Sequence, residues 1–171
     1  MSTRCQVVLD EDGDNLWFYR HSDGYPEGAL PTLNQFMRWV IEGKIRSNVE
    51  QASGWLVLIG AKEYAEYGNK ADLTVPSGDW KAGAYEPCLP RRHGDIAYLY
   101  VLDLINLTIR VEDVYDHKTA VLKKKDIIAD VTKPKRWRTG SVPYGAPDYM
   151  NEDLHGEGGL TNALDHLGLS K

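Results

Sequence analysis

The sequence predicts an α+β domain: a mainly antiparallel sheet of about five strands with two helices packed on one face, followed by an irregular C-terminal extension. Three observations carry this. Two short β-favouring runs near the N-terminus are parted by an acidic, glycine-containing turn, helical periodicity follows, and strand-like runs return after a loop. Strands, then helices, then strands again, in place of alternating βα units, segregate the helices to one side of a sheet.

Cys5 to Leu9 and Leu16 to His21 flank DEDGDN and read as a β-hairpin. After SDGYPEG, the pair Pro31-Thr32 precedes Leu33, Phe36, Met37, Val40 and Ile41, the i, i+3, i+4, i+7, i+8 stripe of an amphipathic helix that ends at Gly43. A second helix starts at Ser47, three residues before Glu50 in a capping-box pattern, and runs to Gly68. Its middle, GWLVLIGA, also suits a buried strand, but cap, flanks and final Gly all favour helix. Asn69 to Asp79 is a loop. Lys81 to Leu89, Asp95 to Asp103 and Thr108 to Tyr115 supply three more strands. Beyond Tyr115 the periodicity fades, so the domain is drawn as 1–115 and residues 116–171 as an extension, basic and then acidic, with a short helix at Leu160 to Leu167. The fold is expected to survive removal of that extension.

With 171 residues, 42% hydrophobic and 26% charged, the chain suits a globular domain rather than a disordered or fibrous one. The longest apolar run, Trp55 to Ile59, is far below the roughly 20 residues of a membrane span. No secretory succession opens the chain, so a cytoplasmic location is expected, with Cys5 and Cys88 as thiols. A net charge of −5 argues against a general polyanion binder, yet Lys118 to Arg138 holds eight basic residues against Asp126 and Asp130. Within it, KPKRWR places Trp137 among cations, a pattern that contacts phosphates and stacks a base, or that merely solvates a flank.

The densest chemistry is YRHSDGYPEG, Tyr19 to Gly28. A strand carries Tyr19, His21 and Asp23 to one face with period two, and the turn through Tyr25 and Glu27 leads to a helix N-terminus, where free amides favour anions. A folding role is the other reading, in which Asp23 pairs with His21 and holds the turn. The tetrapeptide Arg20-His21-Ser22-Asp23 recurs as Arg92-His93-Gly94-Asp95, with Tyr85 and Glu86 nearby in sequence. If the two copies adjoin, their guanidinium groups and imidazoles can bind a phosphorylated ligand. Two His and two Asp also have the composition of a divalent-metal site, but ligation needs inward-facing groups supported by further hydrogen bonds, which sequence does not show, so no metal or cofactor is assigned. The templates GxxxxGK[ST], HExxH, CxxC and GxSxG are absent.

The blocks WFYRHSDGYPEG, QASGWLVLIGA, WKAGAYEP and HGDIAYLYVLDL resemble a family of uncharacterised small proteins of bacteria, prophages and phages. The resemblance covers Met1 to Asp113. It implies a phage or prophage setting, and with it a host-directed role such as countering a defence system. Two classes of function follow. The first is a non-enzymatic binding protein with a polar aromatic pocket for a small phosphorylated or nucleotide-like ligand, in which Tyr19 and Tyr25 border the ligand, Arg20 and Arg92 pair its anionic groups and Asp23 orients His21. Its neighbour is an inhibitor whose aromatics anchor a host protein. The second is a hydrolase of phosphodiester type using His21 and His93. Nucleic-acid binding through KPKRWR and homo-oligomerisation stay open, and no membrane partner is expected.

Overall fold

The computed structural model describes residues 2–66 and 84–140. Their backbone forms one mixed sheet of seven strands with three helices. β1 (Cys5–Glu11) and β2 (Asp14–Arg20) are the expected hairpin, closed by Asp12 and Gly13, both at positive φ as a primed two-residue turn requires. α1 (Pro26–Ile41) and α2 (Val49–Glu66) follow, then β3 (Glu86–Cys88), β4 (Tyr98–Asp103), β5 (Thr108–Asp113), β6 (Lys118–Leu122), α3 (Lys124–Ile128) and β7 (Arg138–Thr139). The sheet order is β3-β2-β1-β4-β5-β6-β7.

The expectation of five mainly antiparallel strands is corrected in two ways. β1 and β4 pair in parallel at the centre of the sheet. No local turn announces that pairing, because the partners are separated by the whole helical segment. The sheet also continues past Tyr115, the expected boundary. Asp113 Oδ1 accepts Asp116 N–H at 3.0 Å in the turn that returns the chain as β6. Leu122 and Ile127 are buried in the main core, Ala120 is buried as well, and Asn34 of α1 donates to Val131 O at 2.9 Å. Residues 118–139 therefore complete the sheet and its helix layer. The predicted terminal helix at Leu160 to Leu167 lies outside the described residues, as does the expected loop from Asn69 to Asp79.

Alternation along the strands sorts the side chains between two faces. Cys5, Val7, Leu9, Phe18, Tyr100, Leu102, Ile109, Val111 and Leu122 face the helices and pack with Leu30, Leu33, Phe36, Met37, Ala52 and Leu56. The opposite face holds a smaller cluster of Val8, Trp17, Leu99 and Val101, onto which Ile96 of the β3–β4 crossover folds. α1 begins five residues earlier than its apolar stripe suggested. Pro26 starts it, where a missing N–H costs nothing, and Pro31 lies inside it. It ends in a Schellman arrangement: Gly43 at φ +74° donates to Val40 O at 3.1 Å and Lys44 to Trp39 O at 2.8 Å. α2 is capped by Asn48 rather than Ser47. Asn48 Oδ1 accepts Gln51 N–H at 3.1 Å, and Glu11 Oε2 accepts Val49 N–H at 2.8 Å.

Candidate functional site

β2 stops at Arg20, so the alternation expected to carry Tyr19, His21 and Asp23 to one face ends before His21. Arg20 points to the helix face and is fully buried. Its Nε donates to Ser22 O at 2.7 Å, and its terminal nitrogens bind Glu63 at 2.6 and 3.0 Å and Tyr85 Oη at 2.9 Å. Thr32 Oγ1 donates to the same Glu63 carboxylate at 2.6 Å. Burial alone would weaken the guanidinium's hold on its proton, but Tyr85 and Glu63 more than reverse that and keep Arg20 charged. Tyr85, buried behind α2, has its phenol pushed up by desolvation. Gly60 is required there, because a Cβ would come within 2.7 Å of the Tyr85 ring.

Arg92 meets the same fate on the opposite face. Its guanidinium forms a two-pronged pair with Glu112, 2.7 and 3.0 Å, and the Glu112 side chain is 1% exposed. Both arginines assigned to an anionic ligand thus serve carboxylates of the fold. Neither Glu63 nor Glu112 was legible as a partner, since each lies far from its arginine in sequence.

What the two tetrapeptides bring together is a row on the crossover-covered face. The Tyr19 ring lies 5.0 Å from the His93 ring and 6.4 Å from the His21 ring, between centroids. Tyr19 Oη donates to Asp95 Oδ2 at 3.0 Å, and Arg4 binds the same oxygen at 2.9 Å. Burial and Asp95 together push the Tyr19 phenol up to about 12. Glu86 faces Tyr19 in the β2–β3 register. The His93 backbone is fixed by Gln6, whose Oε1 accepts its N–H at 2.9 Å. Asp23 makes no hydrogen bond to His21 among the described residues. It instead sits at φ +55° in a turn fastened by Gly24 N–H to Thr3 O at 2.8 Å and Tyr100 Oη to Gly24 O at 2.8 Å. No group of three or more metal-ligating side chains occurs among the described residues.

Tyr25 and Glu27 lie elsewhere, at the start of α1, and there the second sequence feature joins them. In the row of side chains that ends the helix face, Cys5 pairs with Tyr98, Tyr98 with Asp113 and Asp113 with Lys118. Over the far end of this row, Pro26 and Glu27 meet Lys133, Pro134 and Trp137 of the KPKRWR tract around a cleft of about 280 Å³. Tyr98 forms its wall, opposite Asp113 in the β4–β5 register, with its phenol raised by burial and by Asp113, Glu27 and Asp116. Asp116 is paired with Lys118 at 3.3 Å. Tyr25 and Tyr115, 40% and 69% exposed, adjoin the cleft in sequence. Trp137 is half-buried against the main core, which removes it as a freely stacking side chain. The strand register that places Tyr98, Asp113 and Lys118 side by side is what sequence reasoning lacked. A wider hollow of about 430 Å³ lies at the start of α2, but Glu11, one of its lining residues, already caps that helix end.

In comparisons with protein-family models, curated proteins and solved structures, nothing matches the chain. No helix among the described residues is long and apolar enough to cross a membrane.

Proposed function

We propose that the protein is a non-enzymatic binding protein that engages a protein partner through the aromatic end of the molecule around the α1 cleft. The observation that carries this is the gathering of Tyr98 and Trp137 with Pro26, Pro134 and charges of both signs in one cleft, bordered by exposed Tyr25 and Tyr115. Tyr and Trp at the centre with a mixed polar rim are the composition of protein-binding hot spots. The small-anion reading is weakened because Arg20 and Arg92 are spent on Glu63 and Glu112. One observation still favours it. Lys118 and Lys133 lie beside the first turn of α1, whose N-cap Tyr25 makes no side-chain hydrogen bond; with Pro26 lacking an N–H and Gly28 N–H given to Tyr25 O at 2.9 Å, the Glu27 amide is left to receive an anion. The carboxylates of Glu27, Asp113 and Asp116 oppose it there. A host-directed role in a phage or prophage setting rests on the family resemblance alone.

The test is a photoreactive residue at position 115 or 25 of the full chain in bacterial cells, with position 89 as control. The expected result is one saturable protein adduct from 115 and 25, competed away by unlabelled chain and absent from 89. A nucleotide or other phosphorylated compound released on denaturation, with no adduct, overturns the protein-partner reading in favour of the small ligand.

A further inference from the structure

The edge of the sheet formed by β6, α3 and β7 carries a charge opposite to that of the chain as a whole. Lys118 to Arg138 holds eight Lys and Arg against two Asp, whereas the whole chain has 20 Lys and Arg against 25 Asp and Glu. All eight cations are exposed. Both carboxylates are already engaged by the fold. Asp126 Oδ2 accepts Lys123 N–H at 2.9 Å at the start of α3, and Asp130 Oδ1 is held at 3.2 Å by both Arg38 and Asn34 of α1. The net charge of −5 therefore hides a positive field confined to one edge, and such a field draws in an extended anion.

The strand register sets where these cations stand. Arg138 pairs with Thr119 and Thr119 with Glu112, so Arg138 extends a row on the face away from the helices. Glu112 is buried in that row and bound by Arg92, which neutralises its charge before it meets Arg138. The exposed Lys135 and Arg136 come just before, on either side of no packed residue but Trp137, which turns into the core. At the other end of β6, Lys123, Lys124 and Lys125 lead into α3. Thr119 and Lys123 are four residues apart, about 13 Å along a strand. Two groups of cations at that spacing match the two phosphate strands that border the major groove of duplex DNA, about 12 Å wide. Trp137 decides among the polyanions. It is the aromatic side chain of the tract, and its packing on the core keeps it from stacking on the bases of a single strand or entering a lipid surface.

We infer that the β6–α3–β7 edge binds the phosphate backbone of duplex DNA through Lys123, Lys124, Lys125, Lys135, Arg136 and Arg138, without reading base sequence. None of these six lines the aromatic cleft, so the inference stands or falls apart from the protein-partner reading. The test is fluorescence anisotropy of a labelled DNA duplex with the full chain, between about 50 and 200 mM salt. The expected result is binding that weakens by roughly a hundred- to a thousandfold across that range, the slope of about four to six neutralised phosphates, and that a duplex of unrelated sequence reproduces. Arg136→Gln with Arg138→Gln, and Lys124→Gln with Lys125→Gln, should each weaken binding and lower the salt slope by about two, with unchanged circular dichroism. Lys44→Gln with Arg46→Gln, exposed cations between α1 and α2, should leave binding as it is. No binding at the lower salt, a slope that neither edge pair changes, an equal loss from the Lys44 and Arg46 pair, or tighter binding of a single strand or of phosphatidylserine vesicles than of the duplex overturns the inference.

Discussion

The two copies of Arg-His-x-Asp share three of four residues and end on opposite faces of one sheet. In the first, Arg20 is the last residue of β2, and strand alternation turns it inward to Glu63 and Tyr85 beneath α2. In the second, Arg92 sits in the crossover between β3 and β4 and reaches down onto Glu112 of β5. His21 and His93 nevertheless flank one ring, Tyr19, because the crossover runs over the face from which Tyr19 projects. Local sequence set the same side-chain types, and backbone context decided what each does. In both copies the arginine is captured by a carboxylate that burial would otherwise penalise, which is a folding task.

The harshest way to probe that shared task is truncation after Tyr115, which keeps both arginine pairs but strips β6 from beside the strand that carries Glu112. The chain should fail to fold cooperatively in a urea melt, because it loses Leu122 and Ile127 from the main core and the buried Ala120 with them, each large side chain worth ~1.5–3 kcal/mol. A cooperative melt like that of the full chain would put the boundary back at Tyr115. Next in size, Arg20→Met strands Glu63 and should cost ~3–5 kcal/mol, most of it recovered by adding Glu63→Leu. Arg92→Gln should cost less, ~1–3 kcal/mol, because its loop borders solvent and water can partly satisfy Glu112. Equal losses from the two arginines would erase the distinction between the copies.

The smallest effect is alkaline. Burial raises the Cys5 thiol from 9.0 to about 12 in the folded chain, so above pH 9 the unfolded chain releases a proton that the folded chain keeps. Stability is therefore full below about pH 9 and falls as pH rises toward 12, by ~1.4 kcal/mol at pH 10 from this group. Urea midpoints of the chain and of Cys5→Ala, compared at pH 8 and 10, measure it; equal slopes would mean that Cys5 is not held neutral by the core.

The hairpin at Asp12-Gly13, the stripe from Leu33 to Ile41 and the helical nature of GWLVLIGA were legible because each is written in residues a few positions apart. The parallel β1–β4 pairing was not, since Cys5 meets Tyr98 across more than ninety intervening positions. β6 was hidden for a different reason. Its five residues, KTAVL, hold too few alternations to stand out, and the sheet edge beside β5 supplies what local pattern lacks. The candidate site divides similarly. YRHSDGYPEG was found as a dense segment, but its role as fastening required seeing Gly24 against Thr3 and Tyr100, and Arg20 against Glu63. The KPKRWR tract was found as charge and proved to be half packing, through Trp137.

The division of labour between fastening arginines and an aromatic binding end is tested most directly by the photo-crosslink from position 115 in two altered chains. Arg92→Gln loosens the fold and leaves the cleft residues in place, whereas the exposed Glu27→Lys reverses a charge on the cleft and removes no buried contact. At a temperature where both remain folded, the adduct yield should persist with Arg92→Gln and fall by about tenfold or more with Glu27→Lys, the scale of losing one well-placed polar contact. Loss of the adduct with Arg92→Gln and its persistence with Glu27→Lys would contradict it and return the binding role to the repeated tetrapeptide.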